Sequence, residues 1–289
     1  MAKIIIMRGL PASGKSTRAE ELMDKSGNMV RLNKDLLRTM LHFDNFTHIN
    51  EKHTSNAAMS LAIFYLTDNV NIIIDDTNLN PKTIQRWRDL AKQLDAKIEY
   101  IEMTTSVEEC IKRDSARTKK VGRHVIEKMA LQYKGYLKDS KVVICDLDGT
   151  LCDIKHRLNF VKVPEGQPKN WKGFFEGIAN DTVRQEIKDQ ILSLYAWDNT
   201  KIIFVSARPE DYREPTMEWL TRNMGMTDYT LIMREKGDSR PDTEVKAEIY
   251  DKYLKDLSIL KVFDDRPSVI RMWREKGLEV VDCGDGIEF

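Results

Sequence analysis

The chain has 289 residues and a formal net charge of +0 at pH 7, with 41% hydrophobic and 32% charged residues. That length sets a prior of about two domains, and the balance excludes disorder, collagen-like repeats and low-complexity architecture. No apolar run approaches the roughly 20 residues of a membrane span. The four cysteines (Cys110, Cys145, Cys152, Cys283) have neither CxxC nor zinc spacing, so a protein of a reducing cytoplasm, with no membrane partner, is expected. The halves differ in charge. Residues 1–140 carry 23 Lys+Arg against 18 Asp+Glu, and residues 141–289 carry 23 against 28, a modest bias that suits a polyanion first and a divalent metal second.

In chain order, Ile4–Met7 reads as a strand and 15–25 as a helix. Met29–Leu32, Ile72–Asp75 and Lys97–Met103 read as further strands, with helices over 52–69, 81–94, 106–117 and 124–137. The series starts again near Lys141. Strands are predicted at Val142–Cys145, Ile202–Val205, Thr230–Met233, Ile259–Phe263 and Glu279–Val281, and helices over 182–196, 211–224, 243–255 and 267–276. Strands alternating with helices predict an α/β fold with parallel sheets covered on both faces. The division expected is a domain over 1–138 and a second, Rossmann-like one over 141–289, joined at Lys138-Asp139-Ser140.

The first strand runs into Gly9-Leu10-Pro11-Ala12-Ser13-Gly14-Lys15-Ser16-Thr17, which fits G-x-x-x-x-G-K-[ST] between a strand and a helix. Glycine at both ends lets backbone N–H groups wrap phosphate oxygens at a helix N-terminus. Gly9, Ser13, Gly14, Lys15, Ser16 and Thr17 are therefore expected on ATP, with Lys15 at the β/γ-phosphates and Ser16 on Mg²⁺. The absence of obvious GTPase switch sequences favours a kinase. Asp35 in Asn33-Lys34-Asp35-Leu36-Leu37-Arg38 could take the acceptor proton, and Arg38, on the same helix face, could clamp a phosphate. Asp35 reads equally as a helix cap or a surface acid. Asp75-Asp76-Thr77-Asn78 ends a strand where parallel sheets present ligand-binding residues, though Asp and Asn also serve turns. Arg113, Arg117, Lys119, Lys120 and Arg123 form either a solvated face or a lid that supplies arginine to the transferring phosphoryl group.

The second half opens on Val142-Val143-Ile144-Cys145-Asp146-Leu147-Asp148-Gly149-Thr150, an apolar strand running into D-x-D-G-T. A carboxylate there can attack phosphorus, and a second two residues on can protonate the leaving oxygen and later activate water. Mg²⁺ would cancel the charge of carboxylate meeting phosphate. Three further pieces follow in order: Ser206 with Arg208 at a strand end, Lys246 opening a helix, and Asp264-Asp265 at another strand end.

At this point the second half resembles the haloacid dehalogenase superfamily. The whole chain resembles the bacteriophage T-even-type polynucleotide 5′-kinase/3′-phosphatases, through GLPASGKST, NKDLLR, DDTNLNP, Arg113 to Arg117, DLDGT, VSAR, GDSRPDTEVKAEIY and FDDR. For the kinase half, the resemblance implies Lys15 and Ser16 on ATP and Mg²⁺ and Asp35 as general base. It also implies Arg38 on an acceptor 3′-phosphate, Asp76 as support and Arg117, beside Arg113, as lid arginine. For the phosphatase half it implies Asp146 as nucleophile and Asp148 as acid–base, both near the metal. Arg157, Ser206 and Arg208 would surround the substrate, Lys246 would sit on the phosphoryl group, and Asp264 and Asp265 would sit on Mg²⁺. Arg234 and Asp242 match further positions that matter in that family. The implied activity heals RNA or DNA ends for a ligase, in the cytoplasm of a phage-infected cell, with oligomeric state open. A small-molecule kinase fused to a nucleotidase is the alternative. The segment holding Trp171, Phe174 and Phe175 departs from the family and could pack a cap or stack a base.

Overall fold

Six isoleucines show why the first half folds as it does. In the computed structural model, which describes residues 1–164 and 166–286, β1 (Lys3–Arg8) lies parallel to a later strand, with Ile4, Ile5 and Ile6 opposite Ile72, Ile73 and Ile74. Ile4, Ile6, Ile72 and Ile74 face a cluster with Trp87 and Leu90, while Ile5, Met7 and Ile73 face one with Ala19. Both faces are covered, so these strands need no polar alternation.

The chain divides into two units, Met1–Tyr133 and Lys134–Phe289. In the first, β1 is followed by α1 (Lys15–Ser26), β2 (Met29–Leu32), α2 (Lys34–His42), α3 (His48–Thr67), β3 (Asn71–Ile74), α4 (Pro81–Gln93), β4 (Lys97–Glu102), α5 (Val107–Ser115) and α6 (Arg123–Lys134). The sheet is parallel in the order β2-β3-β1-β4. Asn33 starts α2 and Thr47 starts α3, their side chains accepting from Leu36 N and Asn50 N. Those caps place α3 four residues ahead of the expected start at residue 52.

The second unit runs β5 (Lys141–Cys145), β6 (Cys152–Asp153), α7 (Trp171–Glu176), β7 (Thr182–Val183), α8 (Gln185–Tyr195), β8 (Thr200–Pro209), α9 (Arg213–Met224), β9 (Tyr229–Arg234), α10 (Asp242–Ile249), β10 (Ser258–Asp264), α11 (Pro267–Glu275) and β11 (Val280–Asp282). Its main sheet is parallel, in the order β11-β10-β5-β8-β9. Strand β5, which carries Asp146 at its end, is central. β6 and β7 form a small antiparallel pair enclosing α7 in sequence, an insertion that hydrophobic periodicity does not reveal. The helix expected over 243–255 is instead α10 followed by a wider turn over Tyr250–Leu254, so Lys246 sits inside α10 and does not open it. Among the described residues, no helix is long and apolar enough to cross a membrane.

Two candidate active sites

In the first unit the Gly9–Thr17 loop links β1 to α1. Gly14 has φ 95° and Ala12 φ 61°, left-handed positions of the kind that build anion-binding backbone loops. A Cβ on Gly9 would lie 2.7 Å from Ser13 Oγ and 2.8 Å from Met103 Cβ, so glycine is required there. Lys15 is buried, and its Nζ donates to the carbonyls of Gly9 (3.1 Å) and Leu10 (2.7 Å). Burial pushes its ammonium below the usual lysine range; nearby Asp75 and Asp76 oppose this, and nearby Arg117 adds to it. Ser13 Oγ is buried without a partner among the described residues. A loop with left-handed turns, a buried ammonium and an unsatisfied hydroxyl fits a polyphosphate. Ser16 follows Lys15 at the start of α1.

The residues expected at an acceptor follow β2 and β3; β3 adjoins β1 in the sheet and β2 lies beyond it. Asp35 is exposed on α2, and its Oδ1 accepts from Arg38 at 2.7 Å. Arg38 also forks onto Glu51 of α3. Asp76 is largely buried and accepts from Lys34 N at 3.0 Å, and burial raises its carboxyl. Asn78, at φ 46°, donates to the carbonyls of Met7 and Ile74; the Asp75–Asn78 turn therefore stitches β1 to β3 as well as presenting carboxylates. Arg113 and Arg117 lie at the end of α5, Arg113 paired with Glu109 at 2.7 Å. The buried Asp114 accepts from Val121 N and Gly122 N (2.8–3.1 Å) and ties down the loop that carries Arg117. Glu51 and Asp114 carry no motif in the sequence; only tertiary proximity reveals them.

In the second unit, Asp146, Asp264 and Asp265 bring carboxylate oxygens within 4.8 Å of one another. Lys246 Nζ bridges Asp146 Oδ1 and Asp264 Oδ2, each at 2.8 Å. Three carboxylates against one ammonium leave an excess of negative charge. Burial pushes the Asp146 carboxyl well up against the pull of Lys246, and Asp265 rises to about 6 by burial and the nearby Asp264 charge. An oxygen-only donor set with uncompensated negative charge fits Mg²⁺. Trp273 Nε1 donates to Asp264 Oδ2 at 3.1 Å, and Thr150 Oγ1 to Asp265 Oδ1 at 3.0 Å. A Cβ on Gly149, at φ 88°, would lie 2.1 Å from Asp265 Oδ2.

Asp148 does not join that trio through its side chain. Its carboxylate turns to Arg157 and to Arg208, whose Nε lies 3.0 Å from both oxygens. The expected Asp148 ligand is thus placed apart from the Asp146–Asp264–Asp265 group, its carboxylate taken up by two guanidiniums. Burial would raise this carboxyl, but the two arginines hold it well below the usual range. Arg157 and Arg208 also grip the buried Asp181 at 2.7–3.0 Å, giving a closed chain of two acids and two arginines. Asp181, in the insertion, is a residue that sequence reasoning missed. Ser206 is fully buried on β8, its Oγ accepting from Arg208 N at 3.3 Å. Arg234 holds the carbonyls of Ala207 and Arg240 and pairs with Asp242, which also takes Arg266 at 2.7 Å. Arg234 and Asp242 thus pair with each other, away from the Asp146–Lys246–Asp264 contacts. Asp146, Asp148, Lys246, Asp265, Arg234 and Asp242 line a cavity of about 530 Å³ shared with Trp171, Phe174 and Phe175.

The two units thus define a phosphate-binding-loop domain and a haloacid dehalogenase-type phosphatase. The chain belongs to the family described as polynucleotide kinase PNKP phosphatase domain, matched over residues 140–287, and an AAA domain matches residues 4–136. A protein of Autographa californica nuclear polyhedrosis virus, named a bifunctional polynucleotide kinase/RNA ligase, is 25% identical over 99% of this chain and 43% of its own length. The chain therefore spans less than half of that relative. A bifunctional polynucleotide phosphatase/kinase of Schizosaccharomyces pombe is 28% identical over 37% of this chain and 22% of its own. A chain in a solved structure of the Pnkp1/Rnl/Hen1 RNA repair complex is 25% identical, with coverage of 99% and 97% and a TM-score of 0.43.

Proposed function

We propose that this protein heals nucleic-acid ends, adding the ATP γ-phosphate to 5′-hydroxyls in its first unit and removing 3′-phosphates in its second. The observation that carries the reading is that Asp146 and Asp148, two residues apart, occupy opposite charge settings, one among carboxylates and Lys246, the other between two arginines. Pairs of acids whose surroundings separate them take different roles. Asp146 attacks phosphorus, forming an aspartyl-phosphate as the bond to the 3′-oxygen breaks. Lys246 neutralises the phosphoryl oxygens, and Ser206 donates to them. Asp148 is ionised at rest between Arg157 and Arg208; the charge of the entering substrate phosphate raises its proton affinity, so that it takes a proton from solvent and delivers it to the departing oxygen. It then receives a proton from the water that hydrolyses the intermediate. Mg²⁺, when bound by Asp146, Asp264 and Asp265, supplies the positive charge that lets a carboxylate approach a phosphate dianion.

In the first unit, Lys15 exchanges loop carbonyls for phosphate oxygens of ATP, and Ser16 supplies a hydroxyl ligand for Mg²⁺. Asp35 takes the acceptor proton, Arg38 holds an acceptor phosphate with Asp76 in support, and Arg113 and Arg117 close on the phosphoryl group. The products carry the 5′-phosphate and 3′-hydroxyl ends that ligases join. The baculovirus relative's name pairs a polynucleotide kinase with an RNA ligase, which supports cooperation with a ligase and RNA repair. DNA ends and the cytoplasm of an infected cell complete the reading. Matches to polynucleotide-directed proteins in both halves disfavour the small-molecule alternative.

End-group analysis of RNA and DNA oligonucleotides bearing 5′-hydroxyl and 3′-phosphate ends tests this with ATP and Mg²⁺ present. Both ends should be converted. Conversion of free nucleosides and mononucleotides, with both oligonucleotides left intact, would overturn it.

A further inference from the structure

The catalytic cavity has a wall that the phosphoryl chemistry does not use. Of the three aromatics in the insertion, Phe174 is buried at 2% exposure, and Arg157 sits 4.1 Å from its ring centroid. Phe174 is therefore part of the core. Trp171 is 43% exposed, at the first position of α7. Its ring lies nearly parallel to Phe175 (centroids 6.0 Å, 22°), and Phe175 lies 5.0 Å from Tyr212. Trp171 and Phe175 line the same cavity as Asp146 and Lys246, together with the polar stretch Asp238–Thr243. At about 530 Å³ the cavity falls within the roughly 300–1,000 Å³ that accommodates ligands of drug size, far more than a phosphate needs. Lys169 Nζ stands 5.6 Å from the Trp171 ring centroid, a cation beside the same wall.

Resting on the end-healing reading, we propose that Trp171, backed by Phe175, stacks the nucleobase of the 3′-terminal nucleotide and that Lys169 meets the next phosphate upstream. Every base has a π-face, so the wall tolerates any sequence. It also requires the last base to be unpaired, because a base stacked on Trp171 has left its helix. The site thus selects single-stranded or frayed 3′-phosphate ends bearing a base, and discriminates against ends that lack one.

The experiment compares two oligonucleotide 3′-phosphates that differ only at the last nucleotide, one bearing a base and one a tetrahydrofuran abasic analogue. Base–aromatic stacking corresponds to roughly 5- to 150-fold in affinity, so the wild-type ratio of kcat/KM should be about fivefold or more, expressed in KM. In Trp171→Ala the ratio should fall toward one, and in Trp171→Phe most of it should return. Each ratio is taken within one preparation, so a partly folded variant does not distort it. A wild-type ratio near one, or a ratio unchanged in Trp171→Ala, overturns the stacking wall while leaving end healing intact. Hydrolysis of an aryl phosphate without release from either oligonucleotide would overturn both.

Discussion

Both sites contain the same small device at very different depths. In the first unit a carboxylate, Glu51, holds an arginine, Arg38, against a candidate general base, Asp35. In the second, Asp181 holds Arg157 and Arg208 against Asp148. The Asp35 side chain is 82% exposed, whereas the Arg157, Arg208 and Asp181 side chains are fully buried. Near water such a chain is screened and worth little. In the interior it becomes part of the scaffold, and removing one charge strands the others. The first site is therefore completed by its substrates, while the second is largely built before they arrive.

The coarsest way to break this contrast is to remove one site entirely. Asp146→Asn should abolish 3′-dephosphorylation, by about 10⁴-fold or more, and spare 5′-phosphorylation. Lys15→Ala should do the reverse. Assays of both ends on one oligonucleotide check this, and loss of both activities in a folded single variant would refute the two-site reading. Next in size is Asp35→Asn, which keeps shape but loses the base: kinase turnover should fall by roughly 10²–10⁴-fold with ATP affinity little changed. Unaltered turnover in steady-state kinetics would leave Asp35 as a surface acid paired to Arg38.

The third test targets the buried chain. Arg157 forks onto both Asp181 oxygens, and Arg208 adds a third bond, so both oxygens are acceptors and the carboxylate is ionised, although burial works against that charge. Asp181→Asn leaves two buried guanidiniums facing one carboxylate, and about 3–5 kcal/mol of stability should be lost. Four of the five tryptophans (Trp171, Trp197, Trp219, Trp273) belong to the second unit, so denaturant titration followed by tryptophan fluorescence reads chiefly that unit. A loss below about 1 kcal/mol would show that Asp181 shares its site with a proton.

What the sequence reveals of these sites follows the range of each interaction. The Gly9–Thr17 loop, Asp146 and the Asp264–Asp265 pair are legible because each lies at a strand end flanked by its own apolar run, and the chemistry is local. Glu51, Asp114 and Asp181 are silent. Each acts on a residue reached through the fold, and a single acid, whether within a helix as Glu51 and Asp114 are or in a connection as Asp181 is, carries no pattern. Asp148 illustrates a subtler limit. Its spacing from Asp146 suggests a shared metal, yet the guanidiniums that claim its carboxylate come from residues 9 and 60 positions away in sequence. The insertion between β5 and α8 stays unread because its elements are only two to six residues long, too short for any periodicity.

The finest test returns to the exposed version of the device. Glu51→Gln removes the same charge from Arg38 that Asp181→Asn removes from Arg157 and Arg208, and it also keeps the side-chain shape. Here the pair is only partly buried, with Arg38 14% and Glu51 25% exposed: Arg38 retains Asp35 at 2.7 Å, and water can reach what Glu51 gave up. The stability cost should stay within about 1 kcal/mol. The functional effect should appear in acceptor binding, because Arg38, freed from its fork, samples more orientations before meeting an acceptor phosphate. A rise of a few-fold in KM for a 5′-hydroxyl acceptor bearing a 3′-phosphate is expected, with the KM for ATP and the turnover unchanged. A nucleoside acceptor without that phosphate offers Arg38 nothing to hold, so its KM should not move. If Glu51→Gln lowered stability as much as Asp181→Asn does, depth would not be what separates the two chains. If KM rose equally for both acceptors, Glu51 would act on the nucleoside and not through Arg38.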